Sequence, residues 1–511
     1  MRQTMIATLL TACATTAVAG QDALRRQVDD YRSARQVEIV AELNELLALP
    51  NVASNPADIE INAKYIAGML ERRGISARIL RHPNSMPAVY GELRVPGATR
   101  TVMMYAHYDG QPVNERDWTY PPFKPTVLDN TIDAGGKPAV IRNGANVDEY
   151  RIYARSASDD KSPIVAMLTA LDALRATGNQ PSVNIKFFFE GEEEAGSGGL
   201  GELLRAHRDL LAADLWLLCD GPVHVSRAAQ LVFGVRGVTG LEITLFGPAR
   251  ALHSGHYGNW APNPAARLAE LVASMRDGEG NIKIAGFLED VRPLDASEKA
   301  AIDALPRLDD SLRNALRFGA SESNGVLAER IMLPALNVRG LQAGAVAGSA
   351  ANAVPTVARA SIDFRLVPNQ TPERVRELVE KHIRAQGYEI VHETPSAEQL
   401  LRSPRIVQLE WDEGPYAGYR LSSGHPAGVA LRSIATRTVG QPVIVPMLGG
   451  SLPISTIADA LDAPMIVLPM VNHDNNQHAL DENLRIRNLW DGIALYAAVF
   501  RDLAKEWRIV P

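Results

Sequence analysis

Apolar residues recur at three- and four-residue intervals over positions 29–49 and 59–73, a spacing that predicts two amphipathic helices, each with one buried face. Shorter apolar runs at 76–80, 88–94, 101–105, 183–189 and 214–218 predict strands. Residues 163–174 predict a helix with Pro163 in its first turn, where a missing amide donor costs nothing. Strands alternating with helices predict an α/β fold built on a mostly parallel sheet, and ligands of such sheets gather beyond the carboxyl ends of the strands. His107, Glu193, Glu194 and Asp220 all fall at such ends.

The pattern changes at Gly237. Strand-like alternation at 239–245 is followed by a helix at 264–275, a polar charged stretch, a strand at 358–366 and a helix at 372–386. This predicts an α+β module inserted into the first domain. The expected division is a catalytic domain in two parts, 20–237 and 395–511, interrupted by an inserted domain at 238–394. The insertion accounts for the long sequence gap between His478 and the other polar clusters.

Composition narrows the class. With 511 residues, 46% apolar content and 22% charge, the chain has core enough for more than one domain. The formal net charge is −7, and Lys and Arg are dispersed, so no electrostatic footprint for nucleic acid is present. Arg2, a small apolar stretch at 5–18 and Ala17-Val18-Ala19 predict a signal peptide over 1–19 and a periplasmic or secreted protein. Leu10-Thr11-Ala12-Cys13 offers a competing lipoprotein reading through Cys13, weakened by the short apolar run before it. Cleavage after Ala19 leaves Cys219 as the one cysteine, so no internal disulfide is expected. No later run reaches the roughly 18–20 apolar residues of a transmembrane helix.

Five polar clusters then stand out in order: His107-Tyr108-Asp109, Ser158-Asp159-Asp160-Lys161, Glu192-Glu193-Glu194, Cys219-Asp220-Gly221 and Gln477-His478-Ala479. Each alone has an ordinary explanation. A histidine at a strand end is commonly structural, Asp-Asp-Lys can be a turn or helix cap, three glutamates usually form a solvated face, and Asp220-Gly221-Pro222 suits a turn. Taken together they point elsewhere. The glutamates directly follow Phe187-Phe188-Phe189, which draws them into a buried setting where unpaired carboxylates are costly and cations offset the cost. Asp109 stands where a carboxylate fixes the tautomer of a ligating His107. Carboxylates and imidazoles are what zinc or manganese requires, so the set reads as a two-metal hydrolase.

One motif is a decoy. Gly196-Ser197-Gly198-Gly199-Leu200-Gly201 matches the dinucleotide fingerprint G-x-G-x-x-G, with Asp220 downstream. Glu190, Glu192, Glu193 and Glu194 immediately precede it, and that much negative charge repels a pyrophosphate. Neither a P-loop nor a G-x-S-x-G elbow occurs.

These residues resemble a family of dinuclear zinc peptidases that includes carnosine dipeptidase, carboxypeptidase G, aminoacylase and succinyl-diaminopimelate desuccinylase. The resemblance spans nearly all of the chain after the leader. It rests on Tyr105–Pro112 (YAHYDGQP), Ser158–Lys161 (SDDK), Glu190–Ser197 (EGEEEAGS), His253–Gly255 (HSG), Arg365–Pro368 (RLVP), Gly449–Ser451 (GGS) and His478. Trp118, Pro121-Pro122-Phe123 and the RLVPN run place it nearest the dipeptidase branch. Gly110 stands where valine is common and Ser162 where glycine is common, and neither change removes a ligand.

The resemblance implies a zinc-peptidase catalytic domain with an inserted lid or dimerisation domain. It implies two divalent ions, zinc or alternatively manganese or cobalt, bridged by Asp159 across a cis Asp159–Asp160 peptide. Glu194 and His478 complete one ion site, and His107 and Asp220 the other. Two divalent ions against Asp159, Glu194 and Asp220 leave one positive charge, which a bridging hydroxide neutralises. Asp109 orients His107, and Glu193 acts as general base. His253 stabilises the oxyanion in the neighbouring subunit of an obligate homodimer. Asn352 and Arg365 meet the free C-terminal carboxylate of a small peptide substrate, with backbone donors at Gly450 and Ser451. The expected reaction is hydrolysis of dipeptides or of C-terminal residues of short peptides. An N-acyl or carbamoyl amino acid amidohydrolase would use the same metal centre. A catalytically inactive periplasmic peptide-binding protein would not need the intact Glu193.

Overall fold

The computed structural model describes residues 23–322, 325–412, 414–450 and 452–507. The expected leader at 1–19, with Cys13, and the candidate Ser451 lie outside the described residues. Two compact units emerge, the first from Met1–Phe233, Leu421–Pro446 and Thr456–Pro511, the second from Gly234–Arg420 and Met447–Ser455.

The first unit is built on a mixed sheet of eight strands. Their order is Ser76–His82, Ser85–Leu93, Asn184–Glu190, Thr101–His107, Leu215–Leu218, Met465–Val467, Gln230–Val232 and Val443–Val445. Its three central junctions, from Asn184–Glu190 to Met465–Val467, are parallel. Asn184–Glu190, Thr101–His107 and Leu215–Leu218 are the strands whose carboxyl ends carry polar clusters. Thr101–His107 is buried from Val102 onward, which is why its sequence is a continuous apolar run rather than an alternating one.

Helices cover this sheet. The predicted helix at 29–49 is broken at Arg35, whose amide bonds three residues back to Arg32, and Gln36–Leu47 continues beyond it. Pro56–Glu71 starts with Pro56 in its first turn and with the Asn55 side chain accepting from the Ala57 amide. Replacing that cap with alanine should cost about 1 kcal/mol. Lys161–Ala176 is buried almost all round, against Gln36–Leu47 and the long C-terminal helix Ile486–Glu506, so its amphipathic signal is weak. Among the described residues no helix is long and apolar enough to cross a membrane.

The second unit carries a five-stranded sheet in the order Ala335–Ala343, Val357–Leu366, Gly237–Phe246, Ile406–Trp411 and Glu389–Val391. Leu241, Ile243, Leu245, Ala360, Ile362 and Phe364 bury one face of it. Against them pack Leu268, Leu271 and Met275 of helix Pro264–Met275, and Val375, Leu378 and Ile383 of helix Pro372–Ala385. The unit extends past the expected boundary at 394. Ile406–Trp411 pairs antiparallel with Gly237–Phe246, so residues expected to return to the first domain complete the second sheet instead. Nothing local marks this, because strand pairing is a long-range choice.

Candidate metal centre

Three neighbouring parallel strands and two loops deliver the site of the first unit. His107 is the last residue of Thr101–His107, Glu193 and Glu194 lie just beyond Asn184–Glu190, and Asp220 lies just beyond Leu215–Leu218. Asp159 precedes helix Lys161–Ala176 across a cis Asp159–Asp160 peptide, and His478 sits at φ 60° in the loop before Asn483–Arg485. The ligand atoms form two groups, His107 with Asp159 and Asp220, and Asp159 with Glu194 and His478, each within 4.8 Å. Asp159 belongs to both. Its Oδ1 lies 2.8 Å from His107 Nε2, and its Oδ2 lies 3.1 Å from His478 Nε2. His478 Nε2 is also 3.2 Å from Glu194 Oε2, and His107 Nε2 is 3.9 Å from Asp220 Oδ2.

Asp109 ties these pieces together. One of its oxygens is 3.3 Å from His107 Nδ1, and its two oxygens accept from the Glu193 and Glu194 amides at 3.1 and 3.0 Å. It therefore orients the imidazole and holds the acidic turn at once. Close packing does the rest: a Cβ on Gly191 would sit 2.5 Å from the Tyr108 hydroxyl and 2.8 Å from the Pro87 carbonyl. A Cβ on Gly110 would meet Ser156 Oγ too closely, so a larger residue there needs Ser156 to shift.

The electrostatics describe a site short of positive charge. Burial and the Asp159 charge push Glu194 up to about 7 and Asp220 up to about 6. Burial also raises Glu193 well above the ordinary glutamate value, with Asp220, Glu190 and Asp159 adding repulsion and His107 opposing it. Asp159 is the exception: burial disfavours its charge, but the adjoining His107 and His478 imidazoles outweigh that and hold it below the carboxylate range. Its Oδ2 is nevertheless buried without a donor in hydrogen-bonding geometry. Clustered carboxylate oxygens, an orphaned buried oxygen and two converging imidazole nitrogens fit divalent cations of the zinc or manganese type.

The decoy resolves as expected from its charge. Glu192 accepts from the Gly199 amide at 3.1 Å and from the Met86 amide at 3.0 Å, so a carboxylate occupies the glycine-rich turn. The helix that follows, Leu200–Ala206, is short.

Other candidates lie in the second unit. His253 and Asn352 are brought together there: Leu252–His253 pairs with Ala353–Val354, and the Ser254 amide donates to the Asn352 carbonyl at 2.8 Å. Both side chains are exposed, as is Gly450. Arg365 is half-buried, its Nε 3.1 Å from Asp363 Oδ2. Three residues were given no role by the sequence: Gln111 and Lys161, which lie within its motifs, and Glu482, which it did not single out. Gln111 donates to Glu194 Oε2 at 2.8 Å, Lys161 is fully buried and donates to the Leu46 and Leu49 carbonyls at 2.9 Å, and Glu482 accepts from the loop that carries Asp159. Glu482 had a faint signal, a lone acid four residues after His478 and directly before the strand Asn483–Arg485.

Two groups of potential metal ligands sharing one carboxylate, at the strand ends of an α/β sheet, are the arrangement of a metal-dependent hydrolase. The description of peptidase family M20/M25/M40 matches residues 103–502, and the chain belongs to that family. The Cys-Gly metallodipeptidase of Schizosaccharomyces pombe is 26% identical over 490 residues, covering 91% of this chain and 96% of that protein. The corresponding Saccharomyces cerevisiae enzyme is 28% identical over 484 residues, covering 90% and 94%. The solved structure of an M20 family metallo-carboxypeptidase from Sulfolobus solfataricus superposes with a TM-score of 0.72 at 28% identity, covering 92% of this chain and 99% of that one.

Proposed function

We propose that this protein is a dinuclear metallopeptidase that hydrolyses dipeptides or releases the C-terminal residue of short peptides. The observation that carries the reading is the pair of ligand triads joined by Asp159, with Glu193 beside them. Zinc is the proposed metal, and manganese and cobalt suit the same donors. Divalent ions held there supply Lewis acidity toward water and the scissile carbonyl.

The side chains divide the remaining work. Glu193, anchored through its amide on Asp109, takes a proton from the attacking water and delivers it to the leaving amine. Its raised proton affinity relaxes toward the working range once cations offset the neighbouring carboxylates. Asp109 holds His107 in the tautomer that leaves Nε2 free to ligate. Arg365, steadied by Asp363, binds the substrate carboxylate together with Asn352 and backbone donors at Gly450 and Ser451, and His253 donates to the oxyanion in a homodimer. The chain is exported through its N-terminal leader to the periplasm or medium.

The test is metal content alongside hydrolysis of dipeptides, tripeptides and N-acetyl amino acids, with and without chelator. Two ions per chain and chelator-sensitive release of C-terminal amino acids are expected. Cleavage confined to N-acyl substrates would move the protein to the amidohydrolases, and metal-free, inert protein would leave a peptide-binding role.

A further inference from the structure

Glu482 is fully buried, and both of its oxygens are doubly engaged. Oε1 accepts from the Ser158 and Asp159 amides at 2.8 and 2.9 Å. Oε2 accepts from the Ser156 amide at 3.0 Å and from Arg155 NH1 at 2.8 Å. One carboxylate thus gathers three amides of the short loop that presents Asp159, including that of Asp159 itself. Ser156 sits at φ 61°, in the left-handed region that non-glycine residues seldom occupy, so this loop needs outside partners to hold its shape.

The same contacts reach the other ligand segment. Glu482 follows His478 by four residues, its carbonyl accepts from the Ala154 amide at 3.1 Å, and Ser158 Oγ donates to the Asn483 carbonyl at 2.7 Å. Arg155 NH2 donates to the Ala479 carbonyl at 3.2 Å, next to His478. Arg155 is itself held face-on over Trp118, its guanidinium carbon 4.9 Å from the ring centroid. The strands Arg151–Tyr153 and Asn483–Arg485 pair antiparallel, so the two segments leave one ladder side by side. His478 is 55% exposed, so core packing does little to position it.

We propose that Glu482 is a positioning residue for the metal centre, aiming Asp159 as the ligand shared by both ions, and that Arg155 extends the clamp to His478. The inference rests on the dinuclear metallopeptidase reading and goes beyond it, since Glu482 and Arg155 are not ligands. A carboxylate that accepts from a ligand's own backbone amide sets ligand direction through the backbone rather than through the ligand side chain. Loss of such outer partners typically weakens metal binding about 10- to 100-fold.

The experiment is a Zn2+ titration against a chromophoric chelator on the full chain, comparing the native protein with Glu482→Gln and Arg155→Lys. Glutamine keeps the size but presents an amide donor to groups that themselves donate. Glu482→Gln is expected to weaken both ions by about 10- to 100-fold, with activity recovered by excess metal. Arg155→Lys keeps the charge but loses the bond to the Ala479 carbonyl, and is expected to weaken one ion, the one shared by Glu194 and His478, leaving the other. Native-like affinities in both variants, whatever their melting temperatures, would reduce Glu482 and Arg155 to a structural ion pair and overturn the proposal. Should Glu482→Gln fail to fold, the selective effect of Arg155→Lys decides alone. A native protein that binds no zinc removes the metallopeptidase reading itself, which separates that failure from failure of the clamp.

Discussion

His107 in the first unit and His253 in the second are both candidate active-site histidines, and they are held in opposite ways. His107 is fully buried, with its two ring nitrogens 3.3 Å or less from carboxylates of Asp109 and Asp159. His253 is exposed, its Nδ1 accepting from the Gly255 amide at 3.1 Å and its ring lying 4.6 Å from that of His256. The first histidine is placed by its own unit down to the tautomer. The second is exposed and placed only by a local turn. A ligating imidazole is oriented by the partner on its other ring nitrogen, as Asp109 does for His107. An oxyanion donor has to be reachable.

The largest effect that tests this contrast belongs to Glu193. Glu193→Gln is expected to lower kcat about 10²- to 10⁴-fold while leaving metal content intact, because the residue is not a ligand. Metal loss in that variant would move Glu193 into the ligand set and blur the distinction between buried ligands and reacting groups. Next comes His253→Ala, expected to lower kcat about 10²- to 10³-fold with unchanged metal content and melting temperature. In the proposed homodimer, mixing it with Glu193→Gln should restore part of the activity, since a hybrid would have one site with both residues native. No restoration after subunit exchange would argue that His253 acts within its own chain or not at all.

The smallest expected effect is on pH. Glu194 near 7 and Asp220 near 6 are raised carboxylates, so in the metal-free protein they take up protons as pH falls through those values. Ligation requires them ionised, so protons compete with the metal on the acid side and metal affinity is full only above them. Equilibrium dialysis should show affinity falling from about pH 7 downward, roughly tenfold per pH unit for each proton displaced. His253→Ala should follow the same curve. A flat profile between pH 5 and 8 would mean that these carboxylates are not the ligands.

Much of the first unit was legible in the chain because its elements announce themselves locally. Thr101–His107 and Asn184–Glu190 are apolar runs that end abruptly in His or Glu, and a buried parallel strand can look no other way. Helix Pro264–Met275 in the second unit was equally plain, with Asn263 capping and Pro264 at its first position. What stayed hidden depended on pairing at a distance. Ile406–Trp411 joins the second sheet through a partner more than 150 residues away, and the same residues would suit either unit. Glu482 looked like any charged residue near a strand because its value lies in three amides from a loop over 300 residues earlier.

The sequence by itself determined the element types, the α/β class and which polar clusters are candidate ligands, because apolar periodicity and donor chemistry are properties of residues. Tertiary structure decided that Asp159 faces both His107 and His478, that Asp109 serves the imidazole and the acidic turn together, and that Glu482 and Arg155 bind two ligand segments into one. Those are statements about direction. A side chain acquires a direction when strands, turns and buried partners leave it one orientation, and those partners lie far away along the chain.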